Sequence, residues 1–362
     1  MNTITSSLPA PGAGSAASAL PAVRPMSPNQ RAWARFKRNR LGFWSLWVFG
    51  LLLVLATFAE LISNDRPLLA RYNGQVSSPL FNNPPETRFG GDFGTPTDWK
   101  DSFITEQFAQ PGNWAVFTFN AHTALSQNYF QKIPSPSPPG PQNWLGTDGD
   151  GHDMIARLIY GFRVSIWFAF ALTLVGTLIG ILMGALQGYF GGRTDLFLQR
   201  LFEIWGAVPE LYLLIIFASI FAPSLLLLLL LLSLWGWLGL SDYVRAEFLR
   251  NRGLEFVKAA RALGLSNRQI IWRHVLPNSM TPVITFLPFR MSGAIIALTS
   301  LDFLGLGVPP TTPSLGDLLR QGKANLDAWW IIFPTFAVLV LTMLLLTFIG
   351  DALRDAFDTR KS

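Results

Sequence analysis

Six apolar stretches, each about long enough to cross a lipid bilayer, decide what this chain can become. They cover residues 42–63, 164–189, 202–222, 223–240, 279–300 and 329–350. An α-helix rises ~1.5 Å per residue, so about 20 residues cross a hydrocarbon core of ~30 Å. Lipid offers no partner to a backbone N–H or C=O, and a helix satisfies its own, so each stretch is expected to be helical. The stretches nearly lack charge, which is why charged residues make up only 14% of the chain against roughly 25% in soluble domains. Only Ala222, Pro223 and Ser224 mark the boundary between the third and fourth. The first stretch exceeds the ~7–15-residue core of a secretion signal and no small-residue cleavage site follows it, so it is read as a retained helix.

The net charge of +6 invites a nucleic-acid reading, but its placement argues for topology. Arg24, Arg31, Arg35, Lys37, Arg38 and Arg40 precede the first span with no acid among them. Arg245, Arg250, Arg252, Lys258, Arg261, Arg268 and Arg273 follow the fourth. Four crossings separate the two clusters, so one topology places both in the cytoplasm, as the positive-inside rule requires, with both termini there. The chain has no cysteine, which excludes disulfides, thiolate metal sites and cysteine nucleophiles. His122, His152 and His274 lie far apart in sequence and do not suggest a metal cluster.

Residues 1–28, rich in Ala, Pro, Ser and Gly, read as disordered. Residues 1–40 form a basic cytoplasmic tail and 41–63 the first span. Residues 64–143 form an insert outside the cytoplasm that ends in a Pro- and Ser-rich run over 133–141, expected to be stiff and extended. The second span carries Gly176, Gly180, Gly184 and Gly188, a smooth stripe along which another helix backbone can approach closely. The unbroken leucines 225–232 have no polar face and are expected to meet lipid.

Residues 254–278, LEFVKAARALGLSNRQIIWRHVLPN, are too polar for the bilayer yet rich in local structural signals. Residues 254–263 favour helix. Gly264 suits the left-handed position that ends it, and Leu265 the hydrophobic contact of a Schellman closure. Ser266 and Gln269 form a capping-box pattern that opens a second helix, expected to reach Leu276 and stop at Pro277. The small Ala259 and Ala260 let something pack closely.

This segment resembles the EAA loop of ABC importer permeases: Glu-Ala-Ala, three residues, Gly, nine residues, an aliphatic position, one residue, Leu-Pro. Ala259, Ala260, Gly264, Leu276 and Pro277 match, whereas Lys258 stands in place of the glutamate and His274 in place of the aliphatic residue. Other runs resemble the peptide branch of that family. They are NWLGTD from Asn143 to Asp148 with Gly151, His152, Asp153, Arg157 and Gly161; Gly188 to Gly192 with Asp195, Arg200 and Pro209; SLDFLGLG from Ser300 to Gly307 with Pro309, Pro310 and Pro313; and Gly350, Asp351, Arg354, Asp355 and Asp358. His152 replaces the usual arginine. The long insert, and the stretch from Asn64 to Tyr72, resemble the Yej-type branch, whose members import microcin C and peptides.

The resemblance implies an all-α integral membrane protein with six transmembrane helices, the type I importer permease fold over 144–362, a periplasmic insert and a coupling loop over 243–278. It implies location in a bacterial inner membrane. The implied partners are a second permease subunit, ABC ATPase subunits that carry the ATP and Mg, a periplasmic substrate-binding protein and membrane lipid. It implies no cofactor on this chain and no nucleic acid. In this family the loop carrying Lys258, Ala259, Ala260, Gly264, His274, Leu276 and Pro277 docks into a groove on the ATPase.

Other chemistries fit poorly. Asp148, Asp150 and Asp153 suggest a calcium loop, but an EF-hand needs glycine sixth and glutamate twelfth, where this chain has Asp153 and Ile159. Asp148 is better read as a helix cap. No phosphate-binding loop of the form GxxxxGK[ST] occurs, so no ATPase site of its own is expected. An ion-coupled secondary transporter needs acids inside the spans, and these are nearly absent. An importer of another small solute, such as nickel or glutathione, is the remaining alternative. Arg290, mid-span by sequence, is expected to face protein, water or the transport pathway and not lipid.

Overall fold

The structure, a computed structural model, describes residues 27–127 and 133–358, so the stretch 1–28 read as disordered lies almost wholly outside the described residues. Helices α1 (Pro28–Arg38) and α2 (Arg40–Thr57) open it, joined at Asn39, whose side chain accepts from Gly42 N and so caps α2. Strands β1 (Leu69–Tyr72) and β2 (Gln75–Ser77), helix α3 (Ser102–Phe108) and strand β3 (Trp114–Val116) form the insert. Helices α4 (Met154–Phe190), α5 (Gly192–Gly206), α6 (Glu210–Ile220), α7 (Leu225–Ser233) and α8 (Leu238–Asn251) follow. Then come α9 (Glu255–Ala262), α10 (Asn267–Ile270), a π-helical turn (Ile271–Val275) and α11 (Leu276–Asn278). Helices α12 (Thr281–Phe303), α13 (Leu315–Ala324) and α14 (Trp329–Phe357) complete the chain.

Among the described residues five spans are long and apolar enough to cross a membrane: α2, α4, α7 with α8, α12 and α14; α5 with α6 makes a sixth, bent by 60°. The bend follows from Pro209. It has no N–H to offer the Trp205 carbonyl, which instead accepts from Trp235 Nε1 at 3.2 Å, while Trp205 Nε1 donates to Leu234 O at 3.0 Å. The helix expected over 202–222 is therefore two short helices, the end of the first latched to the turn between α7 and α8 by the stacked Trp205 and Trp235. The span expected over 223–240 runs on to Asn251, so the loop expected to begin at 243 begins only after α8. The leucines of α7 also depart from expectation: Leu226 and Leu230 are exposed, but Leu228, Leu231 and Leu232 are buried in the core.

Helix α4 is central. Its apolar face, including Leu158, Phe162, Ile166 and Ala169, packs with Ile295 and Leu298 of α12 and Leu346 and Ile349 of α14. Its glycine stripe packs on α8 and the turn before it. A Cβ at Gly184 would lie 2.5 Å from Ser241 O, and one at Gly188 2.6 Å from Arg245 O, so only glycine permits this approach.

The insert forms an antiparallel sheet in the order β2-β1-β3 beneath its own aromatic cluster of Phe89, Trp99, Tyr72 and Phe108. Asn120 Nδ2 donates to Asp153 Oδ1 at 2.7 Å and Tyr160 OH to Ser63 O at 2.8 Å, which fastens the insert to the start of α4. The run 133–141 is pinned where a free spacer was expected: Ser137 N donates to Thr147 Oγ1, and Thr147 N to Ser137 O, both at 2.9 Å. At the opposite end of the bundle α1 packs on the end of α14, and Arg31, Pro277 and Phe357 line one crevice there. The described residues of both basic clusters therefore sit at the end away from the insert.

Candidate functional site

Residues 254–278 fold by the local signals that the sequence displays. Helix α9 ends in a Schellman closure: Leu265 N donates to Ala260 O at 3.2 Å and Gly264 N to Arg261 O at 3.0 Å. Gly264 has φ +78°, a conformation that a side chain with a Cβ resists. Both bonds of the Ser266–Gln269 capping box form at the start of α10. The expected stop at Pro277 is displaced. The π turn closes with Leu276 N donating to Ile271 O, and helical structure passes through Pro277 to Asn278. The amide Nδ2 of Asn278 serves the His274 carbonyl at 2.7 Å.

The segment is two-sided. Val257, Ala260, Ile270 and Val275 are fully or almost fully buried against Tyr189, Val244 and Phe248. Tyr189 OH donates to Asn267 Oδ1 at 2.8 Å, Asn251 Nδ2 to Ser279 Oγ at 2.8 Å, and Arg245 Nη2 to Asp195 Oδ2 at 2.7 Å. The segment is thus held on α4 and α8, and α8 is in turn tied to α5. On the other side Ala259, Gly264 and Pro277 are exposed, His274 and Leu276 half-exposed. Lys258 faces solvent and reaches back to Glu255 Oε1 at 2.8 Å. At the turn Leu263 is 82% exposed, with Trp272 at 64%. Neither was singled out from the sequence, because exposure is set by which face the helix docks and not by residue type. Both apolar side chains stand outside the core, on a segment whose other face is buried against α4 and α8.

At the insert end, Asp148 does not cap α4. Asp153 does, accepting from Ala156 N at 2.9 Å. Asp148 is fully buried, accepts from His152 N at 2.8 Å and pairs with Arg157 Nε at 3.2 Å, while Arg157 Nη2 reaches Asp317 Oδ2 of α13 at 3.3 Å. Burial alone would raise the Asp148 carboxyl, but the His152 hydrogen bond and the Arg157 charge outweigh it and hold it below the usual carboxylate range. A depressed folded pKa means that this tie is complete above the usual carboxylate range and lost only as pH falls below it. The spaced residues from Asp148 to Arg157 thus build the joint between α4 and α13.

Arg290 is half-buried. It lines a cleft of ≈ 280 Å³ with Thr173 of α4, Glu210 at the start of α6, and Gly236 in the turn between α7 and α8. Its Nη2 donates to Gly236 O at 2.9 Å. Gly176 makes room, since a Cβ there would lie 2.6 Å from that Nη2. Glu210 is an acid near one end of the third apolar stretch, and the bend at Pro209 is what turns the start of α6 to this cleft.

Comparison with known proteins gives a consistent result. Residues 153–362 match the family described as binding-protein-dependent transport system inner membrane component, and residues 27–85 match the N-terminal transmembrane domain of oligopeptide transport permease C. The chain is 47% identical over 334 residues to the inner membrane ABC transporter permease protein YejE of Escherichia coli K12, covering 92% of this chain and 98% of that one. It is 44% identical over 371 residues to the peptidoglycan transport system permease protein YejE of Agrobacterium fabrum, covering 94% and 96%. The oligopeptide transport system permease protein OppC of Haemophilus influenzae is 36% identical over 220 residues, covering 60% and 70%.

Proposed function

The chain belongs to the binding-protein-dependent transport system inner membrane component family, the permeases of ABC importers, and on that premise we propose that it carries peptides inward across a bacterial inner membrane. Peptidoglycan and oligopeptide are the cargoes in the relatives' names, and microcin C-like peptide is the one that the resemblance to the Yej-type branch implies. The basic end, with both termini and residues 252–278, lies in the cytoplasm, and the insert outside it.

The observation that carries the mechanism is the rigidly mounted, outward-facing turn at Leu263 and Gly264. An ABC ATPase subunit receives this turn, with Lys258, Ala259, His274, Leu276 and Pro277 around it. ATP and Mg bind on that subunit, since this chain carries no phosphate loop. Because Val257, Ala260, Ile270 and Val275 pack on α4 and α8, a displacement of the turn moves those helices as one body. A second permease subunit completes the pathway, Arg290 lines this chain's half of it, and a periplasmic binding protein delivers the cargo at the insert end.

The test is reconstitution. Tagged chain should co-purify with a second permease and ATPase subunits. Proteoliposomes holding that complex and its binding protein should take up labelled peptide only with ATP and Mg. Peptide uptake that persists without ATP, driven by an ion gradient, would contradict the proposal.

A further inference from the structure

The cleft around Arg290 holds two opposite charges that do not neutralise each other. Among the described residues no carboxylate stands opposite Arg290 and no cation opposite Glu210. Arg290 spends Nη2 on Gly236 O, but its Nε is buried without a partner. The Thr173 hydroxyl, on the α4 wall of the same cleft, is also buried without one. A charge half-withdrawn from water without an ionic partner is costly, and this chain holds one half-buried charge of each sign in a single cleft. It also keeps a glycine at 176 that leaves the arginine its space.

We propose that this cleft is a binding site for the two charged ends of an unblocked peptide, Arg290 receiving the terminal carboxylate and Glu210 the terminal ammonium. The guanidinium presents a planar fork of donors that fits a carboxylate. The Glu210 carboxylate is acceptor-only and fits an ammonium, and Thr173 adds a donor in the same cleft. A zwitterion brings the two missing partners at once, whereas a singly charged solute leaves one group unpaired. Glu210 begins α6 immediately after the 60° bend, so its distance from Arg290 changes if the bend opens or closes. Bound cargo would thereby favour one bend angle. The inference rests on the reading of this chain as a peptide permease subunit.

The test uses the intact permease–ATPase complex in lipid nanodiscs, without binding protein, so that no other component selects the ligand. Equilibrium dialysis measures the Kd of labelled trialanine, N-acetyl-trialanine and trialanine amide. In the parental complex both blocked forms should bind more weakly than the free peptide. Arg290→Gln should weaken trialanine by about tenfold or more, the scale of one charge-assisted hydrogen bond, and leave the amide unchanged. Glu210→Gln should weaken trialanine similarly and leave the N-acetyl peptide unchanged, while Arg290→Lys should keep the preference for a free carboxylate. Equal losses for all three peptides, poor assembly with the second permease in both neutralised variants, or no binding of trialanine to the parental complex would overturn the inference. Parental ATP-driven uptake with binding protein separates the two levels. If uptake occurs and the dialysis pattern fails, only the cleft assignment falls; if no peptide is taken up, the permease reading falls with it.

Discussion

The segment from Glu255 to Asn278 and the cleft at Arg290 leave opposite kinds of group unpartnered. The segment satisfies its helix ends locally, through a Schellman closure and a capping box, pairs Lys258 with Glu255, and leaves apolar side chains outside. The cleft draws on α4, α6, α12 and the turn between α7 and α8, surrounds itself with apolar helices, and leaves charges unpaired inside. What a surface leaves unsatisfied indicates what it meets. An exposed Leu263 on a rigid mount suits a protein groove, while an arginine and a glutamate facing a shared space suit a small charged molecule. One chain thus separates the place where force enters from the place where cargo passes.

If that division holds, damage at each region should have its own phenotype. The largest effect is expected at Gly264. A valine at φ +78° costs roughly 1–3 kcal/mol of backbone strain and misplaces Leu263. Gly264→Val should insert normally into the membrane, yet abolish both uptake and peptide-stimulated ATP hydrolysis. Parental transport by this variant would remove the turn from the account. Next is Gly176→Ala, whose Cβ would meet Arg290 Nη2 at 2.6 Å. The guanidinium must swing away and give up its bond to Gly236 O, which should lower uptake by about tenfold, with ATPase subunits still co-purifying in full. Loss of the ATPase subunits would show that the two regions are not separable. The smallest effect is expected at Lys258, whose side chain faces solvent. Lys258→Glu exchanges a favourable i,i+3 pair for a repulsive one, a matter of about 0.2–0.5 kcal/mol. Stimulated ATP hydrolysis should change by less than about threefold; a complete loss would place Lys258 in direct contact with the ATPase.

The two regions also differ in how far the sequence disclosed them. Residues 254–278 were legible because their structure is set by near neighbours: Gly264, Leu265, Ser266 and Gln269 each act within five residues. The one local error, the stop at Pro277, arose because a π turn passes helical structure through the proline. The cleft was half legible. Arg290 stood out as a charge in mid-span, but its tie to Gly236 spans 54 residues, and Glu210 reaches the cleft only because Pro209 bends the helix before it. The same distinction explains Asp148, read as a cap and found instead paired with Arg157. Exposure behaves likewise: nothing in the run from Ala262 to Leu265 says which leucine turns outward until Val257 and Ala260 are seen docked on α8.

The central claim is that the turn at Leu263 meets the ATPase, and this chain is suited to a direct measurement because it has no cysteine. Leu263→Cys, labelled with a short photo-crosslinker in the assembled complex, should yield one dominant adduct with an ATPase subunit, and ATP should change its yield. The same label at exposed Leu226 of α7 should yield no ATPase adduct. Crosslinking of Leu263→Cys only to lipid or to the second permease, with the ATPase subunits present and active, would contradict the account.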